Sequence, residues 1–159
     1  FGELLMLIEA DYRDKKATLA YNGLSFSVPK RLHIIGMMNT ADRSMAMIDY
    51  ALRRRFSFFD MEPGFDSEGF INYQNSFANE TFNTLIERIK ELNKEIAQDK
   101  SLGKGFCIGH SYFCNVNDCA EEWMKDVVDF DILPMLSEYW FDESSKLQRW
   151  ENILHGVFQ

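Results

Sequence analysis

Between Glu80 and Gln98, apolar residues fall at Phe82, Leu85, Ile86, Ile89, Leu92 and Ile96. Those steps of three and four put them on one face of an α-helix. Asn79 stands where an N-cap is needed, because its amide oxygen can accept from the first unpaired backbone N–H groups. A stripe this long has to be buried against something, and the downstream sequence supplies helices to do it. One is expected over about Ala120 to Asp129. A second carries Ile132, Leu136, Tyr139 and Trp140, with Pro134 near its first turn. A third carries Leu147, Trp150 and Leu154, with Ser144 as N-cap and Gly156 as stop. Beyond Pro63-Gly64 the chain therefore reads as helical, interrupted by the glycine- and aromatic-containing loop "SLGKGFCIGHSYFCNVND".

The earlier part has a different pattern. "FGELLMLIEADYRD" has Leu4, Leu5, Leu7 and Ile8 at helical spacing, and a charged break follows from Asp11 to Lys16. "ATLAYNGLSFSVP" alternates around Asn22-Gly23, a strong hairpin signal, and Pro29 closes it because proline cannot donate to a ladder. "LHIIGMM" and "FSFFDM" are short, continuously apolar runs, as expected of strands covered on both faces. Between them, Ser44 to Arg55 can form a helix with Ile48, Ala51 and Leu52 inward. Helix, strand, helix, strand in that order indicates an α/β fold containing part of a parallel sheet, with a β-hairpin inserted. The expected division is residues 1–62 for the α/β part and 63–159 for the helical part.

Composition narrows the function. The net charge is −8, a poor starting point for general nucleic-acid binding, which needs a positive field to replace phosphate counterions. Cys107, Cys114 and Cys119 are odd in number and form no CxxC, which fits a reducing cytoplasm better than a disulfide framework. With His110 they read C-x2-H-x3-C-x4-C, a spacing that matches no standard zinc knuckle, so no metal site is expected. The sequon Asn79-Glu80-Thr81 is idle in that compartment. No apolar run is long enough to span a membrane. The chain opens with Phe1 inside an apolar helical pattern, and we read it as a piece of a longer protein.

The stretch "MNTADRSMAMIDYALRRRF" places Asn39 at the expected carboxyl end of one strand, where open α/β sheets bind ligands. A neutral amide there can orient a water or a phosphate oxygen; it can equally cap the next turn with Thr40 and Asp42. Arg53, Arg54 and Arg55 follow. One cation at a helix C-terminus complements the helix dipole, but three adjacent ones repel and point in different directions. Fixed guanidinium groups are what phosphoryl transfer uses on developing γ-phosphate charge.

"GMMNTADRSMAMIDYALRRRF" resembles the second half of a AAA+ ATPase core, and more narrowly the McrB family, the motor subunits of methylation-dependent restriction systems. "FGELLMLIEAD", "SFSVPKRLHIIGMMNTADRS", "DYALRRRFSFFDMEPGFD" and "LGKGFCIGHSYF" carry the resemblance over most of the chain. It implies the C-terminal part of a P-loop NTPase core followed by an all-helical lid. By the resemblance Asn39 matches the sensor-1 asparagine that positions the attacking water, and Arg54 and Arg55 match arginine-finger positions, Arg53 being one step early. Asp42 and Arg43, with Thr40, belong to the same signature loop, facing the nucleotide or the ring interface. His110 and Ser111 are lid-side candidates, and no sensor-2 arginine can be assigned.

The resemblance further implies GTP or ATP with magnesium, a self-assembled ring, a hexamer in the whole protein, a McrC-like nuclease subunit, and modified DNA bound by a separate domain. No GxxxxGK[ST] occurs in the chain, and Asp60 and Glu62 in "FSFFDME" only mimic a Walker B strand. The chain alone is therefore expected to be inactive. Two alternatives stand: a MoxR-like or dynein-like AAA+ remodeller, and a non-catalytic interaction module whose arginines dock acidic partners.

Overall fold

A computed structural model describes residues 2–38, 53–114, 116 and 118–159. The chain divides into two units, Phe1–Asp60 and Met61–Gln159.

In the first unit, helix α1 (Gly2–Leu7) leads into a single 3-10 turn at Ala10–Tyr12. Strands β1 (Lys16–Thr18) and β2 (Ser25–Ser27) pair antiparallel, with Lys16 opposite Ser27 and Thr18 opposite Ser25. The hairpin expected from Asn22-Gly23 is present, but its connection is longer than a two-residue turn. Leu19 N–H still bonds the Leu24 carbonyl at 2.9 Å, and Gly23 N–H returns to the Leu19 carbonyl at 2.8 Å. Gly23 sits at φ +69°, the left-handed conformation that glycine adopts without steric cost, and Asn22 Oδ1 accepts from Leu24 N–H at 3.0 Å. Arg13 ties the unit together. Its Nε donates to the Ile8 carbonyl at 3.0 Å and its Nη1 to the carbonyls of Pro29 and Leu32 at 3.3 and 3.1 Å. Of the described residues here, only Leu7 and Val28 are buried apolar side chains.

The expected parallel strands are corrected by the structure. Residues 32–38 and 57–62 carry no regular secondary structure, and the two-stranded hairpin is the sheet among the described residues. Side chains expected under cover are open to solvent: Ile35 is 92% exposed, Met37 98% and Phe59 88%. A short apolar run carries the side chains of a buried strand but not its ladder. Backbone pairing has to come from a neighbouring strand, and none adjoins these runs among the described residues.

The second unit is built on the Glu80–Gln98 stripe. A 3-10 turn at Gly64–Asp66 precedes α2 (Glu68–Ser76), whose N-cap Ser67 accepts from Phe70 N–H at 3.2 Å. Helix α3 (Glu80–Gln98) buries Phe82, Leu85, Ile86, Ile89, Leu92 and Ile96, the full sequence-predicted set. Burying six such side chains is worth roughly 9–18 kcal/mol at 1.5–3 kcal/mol each. Asn79 caps this helix with both ends of its amide. Oδ1 accepts from Phe82 N–H and Nδ2 donates to the Cys119 carbonyl, each at 3.0 Å.

The two helices expected around Pro134 are one continuous helical run: α4 (Glu121–Asp126), a π-helical segment at Val127–Ile132, and α5 (Leu133–Tyr139). Proline has no N–H for the helical ladder, and its ring crowds the preceding turn. The widened turn ahead of it, with Leu133 N–H reaching back to the Val128 carbonyl, absorbs that defect without a break. Helix α6 (Ser144–His155) stops at Gly156 as expected. Ser144 is its first helical residue rather than its cap, and Glu143 occupies the cap position. Val128, Ile132, Leu136, Trp140, Trp150 and Leu154 from this C-terminal part are buried in the same core as the α3 stripe.

Candidate functional site

Arg53 is helical, and Arg54 and Arg55 lie in the turn that follows it, just ahead of the Ser57–Phe59 run. The three guanidinium groups have different surroundings. That of Arg53 lies 6.0 Å from the ring centroid of Phe58. Arg54 is exposed. Arg55 is turned inward: its side chain is 17% exposed and its Nη2 is ion-paired with Glu9 Oε1. Arg54 and Arg55 line a cleft of the first unit with Glu9, Asp11, Arg13, Lys30 and His33. Four permanent cations face two carboxylates there, a field suited to an anionic ligand. Asn39, Thr40, Asp42 and Arg43 lie outside the described residues, as does the expected Ser44–Leu52 part of the helix.

His110 and Ser111 belong to the second unit, at the 3-10 turn His110–Phe113. Nδ1 of His110 accepts from Gly64 N–H at 3.0 Å, which places the ring proton on Nε2. The imidazole meets Phe70 edge-on at 5.7 Å and Phe65 at 6.1 Å between centroids. Gly64 suits this contact, since a Cβ there would lie 3.0 Å from His110 Cε1 and the ring would have to shift by a few tenths of an ångström. Ser111 is exposed, and its carbonyl accepts from Cys114 N–H at 3.3 Å.

The glycine-containing loop is held by a residue that sequence reasoning passed over. Asn93, on α3, grips the backbone of Ile108 from both sides. Its Oδ1 accepts from Ile108 N–H at 2.6 Å and its Nδ2 donates to the Ile108 carbonyl at 2.9 Å. Glu62, read as a Walker B mimic, instead pairs with Lys104 of the same loop at 2.8 Å. That hydrogen bond and the lysine charge hold its carboxyl below the ordinary range. The three thiols are free. Burial raises them all, and with Asp118 nearby Cys119 is pushed up to about 11, so it stays protonated at neutral pH. Among the described residues no three His, Cys, Asp or Glu side chains converge as a metal site.

Two further polar devices were also missed. At the end of α3, Asp99 accepts from Trp140 Nε1 at 3.1 Å, from Lys146 Nζ at 2.6 Å, and from the Ser101 amide and hydroxyl at 2.8 and 2.7 Å. One turn earlier, Glu95 accepts from Trp150 Nε1 at 3.0 Å and pairs with Arg149. A carboxylate on the polar face of a helix carries no sequence mark that separates it from a solvated charge. The only hint available was the tryptophans, whose indole N–H needs a partner once buried.

The helical geometry agrees with what the chain is similar to. Residues 84–148 match the family of McrB α-helical lid domains. That match covers α3 from Thr84 onward, the loop held by Asn93, and the run through the π-helical segment into the start of α6.

Across 98% of its length the chain is also 48% identical, over 168 aligned positions, to the type IV methyl-directed restriction enzyme EcoKMcrB subunit of Escherichia coli strain K12. The chain is McrB-like, and its second unit carries a McrB-type helical lid. It spans 37% of the length of that relative. No described helix is long and apolar enough to cross a membrane.

Proposed function

We propose that the chain is part of the nucleotide-hydrolysing ring subunit of a McrBC-like, modified-DNA restriction system. The observation that carries this is 48% identity, sustained over 98% of the chain, to a methyl-directed restriction subunit. In this reading residues 1–62 are the second half of a AAA+ core and residues 63–159 its lid. Asn39 orients the attacking water. Arg54 and Arg55 are the arginine-finger positions, bringing fixed positive charge to the γ-phosphate of GTP or ATP, which is worth roughly 10³–10⁵ in rate in phosphoryl transfer. Thr40, Asp42, Arg43 and Arg53 border the nucleotide or the subunit interface, and His110 and Ser111 face it from the lid.

The nucleotide-cradling loop and the magnesium ligands would be held elsewhere in the whole subunit, so no step is assigned to magnesium on this chain. The subunit would assemble as a cytoplasmic ring, a hexamer, with a McrC-like nuclease, and modified DNA would be read by another domain. The test is nucleotide turnover by the whole subunit with its nuclease partner. Asn39→Ala and Asn39→Asp should bind nucleotide and turn it over slowly, the aspartate at least as slowly as the alanine, because its charge repels the phosphate and the incoming hydroxide. Wild-type turnover from both overturns the role given to Asn39, and no turnover from the wild-type subunit with its nuclease partner overturns the reading.

A further inference from the structure

The sequence treats Arg54 and Arg55 as equivalent, yet their surroundings differ. Arg54 is exposed on the cleft wall. Arg55 is ion-paired with Glu9 and largely covered, its side chain 17% exposed and that of Glu9 39%. Glu9 is itself anchored. Its amide bonds the Met6 carbonyl at 3.2 Å at the end of α1, and the carbonyl of its neighbour Ile8 is held by Arg13, which also grips Pro29 and Leu32. The carboxylate is thus presented from a backbone fixed at several points. A guanidinium paired to such a carboxylate keeps its planar fork in one orientation. Its neighbour Arg54 is exposed and carries no such ion pair among the described residues.

We propose that Glu9 is a positioning residue. It anchors Arg55 within its own subunit, and that anchor fixes the helix end so that Arg54 alone is presented to a nucleotide on a neighbouring copy. The proposal rests on the ring-hydrolase reading above and divides its two finger candidates into one reaching group and one anchor. It also gives the Glu9 carboxylate a reason to stand in a cleft where cations outnumber carboxylates, and where it lowers the repulsion between adjacent guanidinium groups.

The test is a charge exchange in the whole subunit, read as kcat and KM for nucleotide, with ring assembly followed by light scattering. Glu9→Arg and Arg55→Glu should each lower kcat at least about tenfold with KM little changed, and the double variant Glu9→Arg/Arg55→Glu should regain most of the loss, as coupled contact pairs do. Arg54→Glu should lower kcat by about 10³-fold or more, and Glu9→Arg should not rescue it. Mixing Arg54→Ala subunits with subunits unable to bind nucleotide should restore turnover, because an intact Arg54 then faces an intact nucleotide site.

A double variant as slow as Arg55→Glu overturns the proposal, since a residue acting directly on phosphate cannot be replaced by an arginine at position 9. So does an assembled Glu9→Gln ring with normal kcat. Normal turnover from Arg54→Glu and Arg55→Glu alike, in assembled rings, overturns the arginine-finger assignment for both residues, whereas no turnover from the wild-type ring overturns the hydrolase reading itself.

Discussion

The indole Nε1 of Trp140 donates to Asp99 Oδ2 at 3.1 Å, and the same oxygen accepts from Lys146 at 2.6 Å while that ammonium lies 4.5 Å from the Trp140 ring centroid. With its side chain 8% exposed, the carboxylate is committed to partners that all prefer it ionised. The hydrogen bond from Lys146, followed by those from Ser101, holds its carboxyl far below its ordinary 3.8.

Folding therefore favours the deprotonated form. The stabilisation is fully present above the unfolded value and is lost as pH falls below it towards the depressed folded value. Denaturant midpoints measured from pH 6 down to pH 2 should be flat above about pH 5 and fall below about pH 4. Asp99→Asn should cost about 2 kcal/mol at pH 7, because it leaves Lys146 without its buried charge partner, and its acid slope should be shallower. An unchanged acid slope in Asp99→Asn would place the pH dependence on other carboxylates.

Asn79 separates two functions of one amide. Asn79→Asp retains an oxygen for Phe82 N–H and adds favourable charge at a helix N-terminus, but cannot donate to the Cys119 carbonyl. Asn79→Ala loses both bonds. The alanine variant should be destabilised by about 1–2 kcal/mol and the aspartate by less, as measured by chemical denaturation. Equal losses in the two would mean that the tie to Cys119, rather than the cap, is what matters.

The Asn93 grip on Ile108 predicts a local effect larger than the global one. Removing the amide in Asn93→Ala leaves the Ile108 N–H and carbonyl without these bonds in a part-buried site, at about 1–3 kcal/mol for each group left unsatisfied. Amide exchange followed by mass spectrometry should show faster exchange concentrated at residues 103–109, with the middle of α3 much less affected. Uniform acceleration across the second unit would show that Asn93 supports the whole fold rather than the loop.

The parts legible in the sequence share one property: their partners are close along the chain or are simply the core. Phe82 to Ile96 announced a buried helical face by spacing alone, Asn79 sits three residues from the N–H it caps, and Asn22-Gly23 marks its own turn. The parts that were not legible depend on distant partners. Leu32–Met38 and Phe56–Met61 have the composition of central strands, but pairing is a property of two segments and composition describes one. Pro134 was read as a helix start because its ring disfavours a preceding turn; a π-helical segment is a third option that local propensity does not reveal. At the candidate site, three arginines in a row could be found by inspection. Which one turns inward was set by Glu9, 46 positions away, and no pattern within the arginine run encodes that.

The two carboxylates that receive the indoles, Glu95 and Asp99, stand one helical turn apart on α3, and the Asn93 grip lies within two residues of the first. All three contacts therefore read off a single ruler, whose division is 1.5 Å and 100° per residue. Inserting or deleting one residue anywhere from 93 to 99 would swing the later contacts a quarter-turn or more away from partners fixed at the end of α5, on α6 and in the loop. Repacking cannot restore such a phase error, because the Phe82–Ile96 stripe already fixes the rotation of the helix about its axis. Length variation in this unit should thus fall outside α3, which behaves as a part of invariant gauge whose side chains can change but whose count cannot.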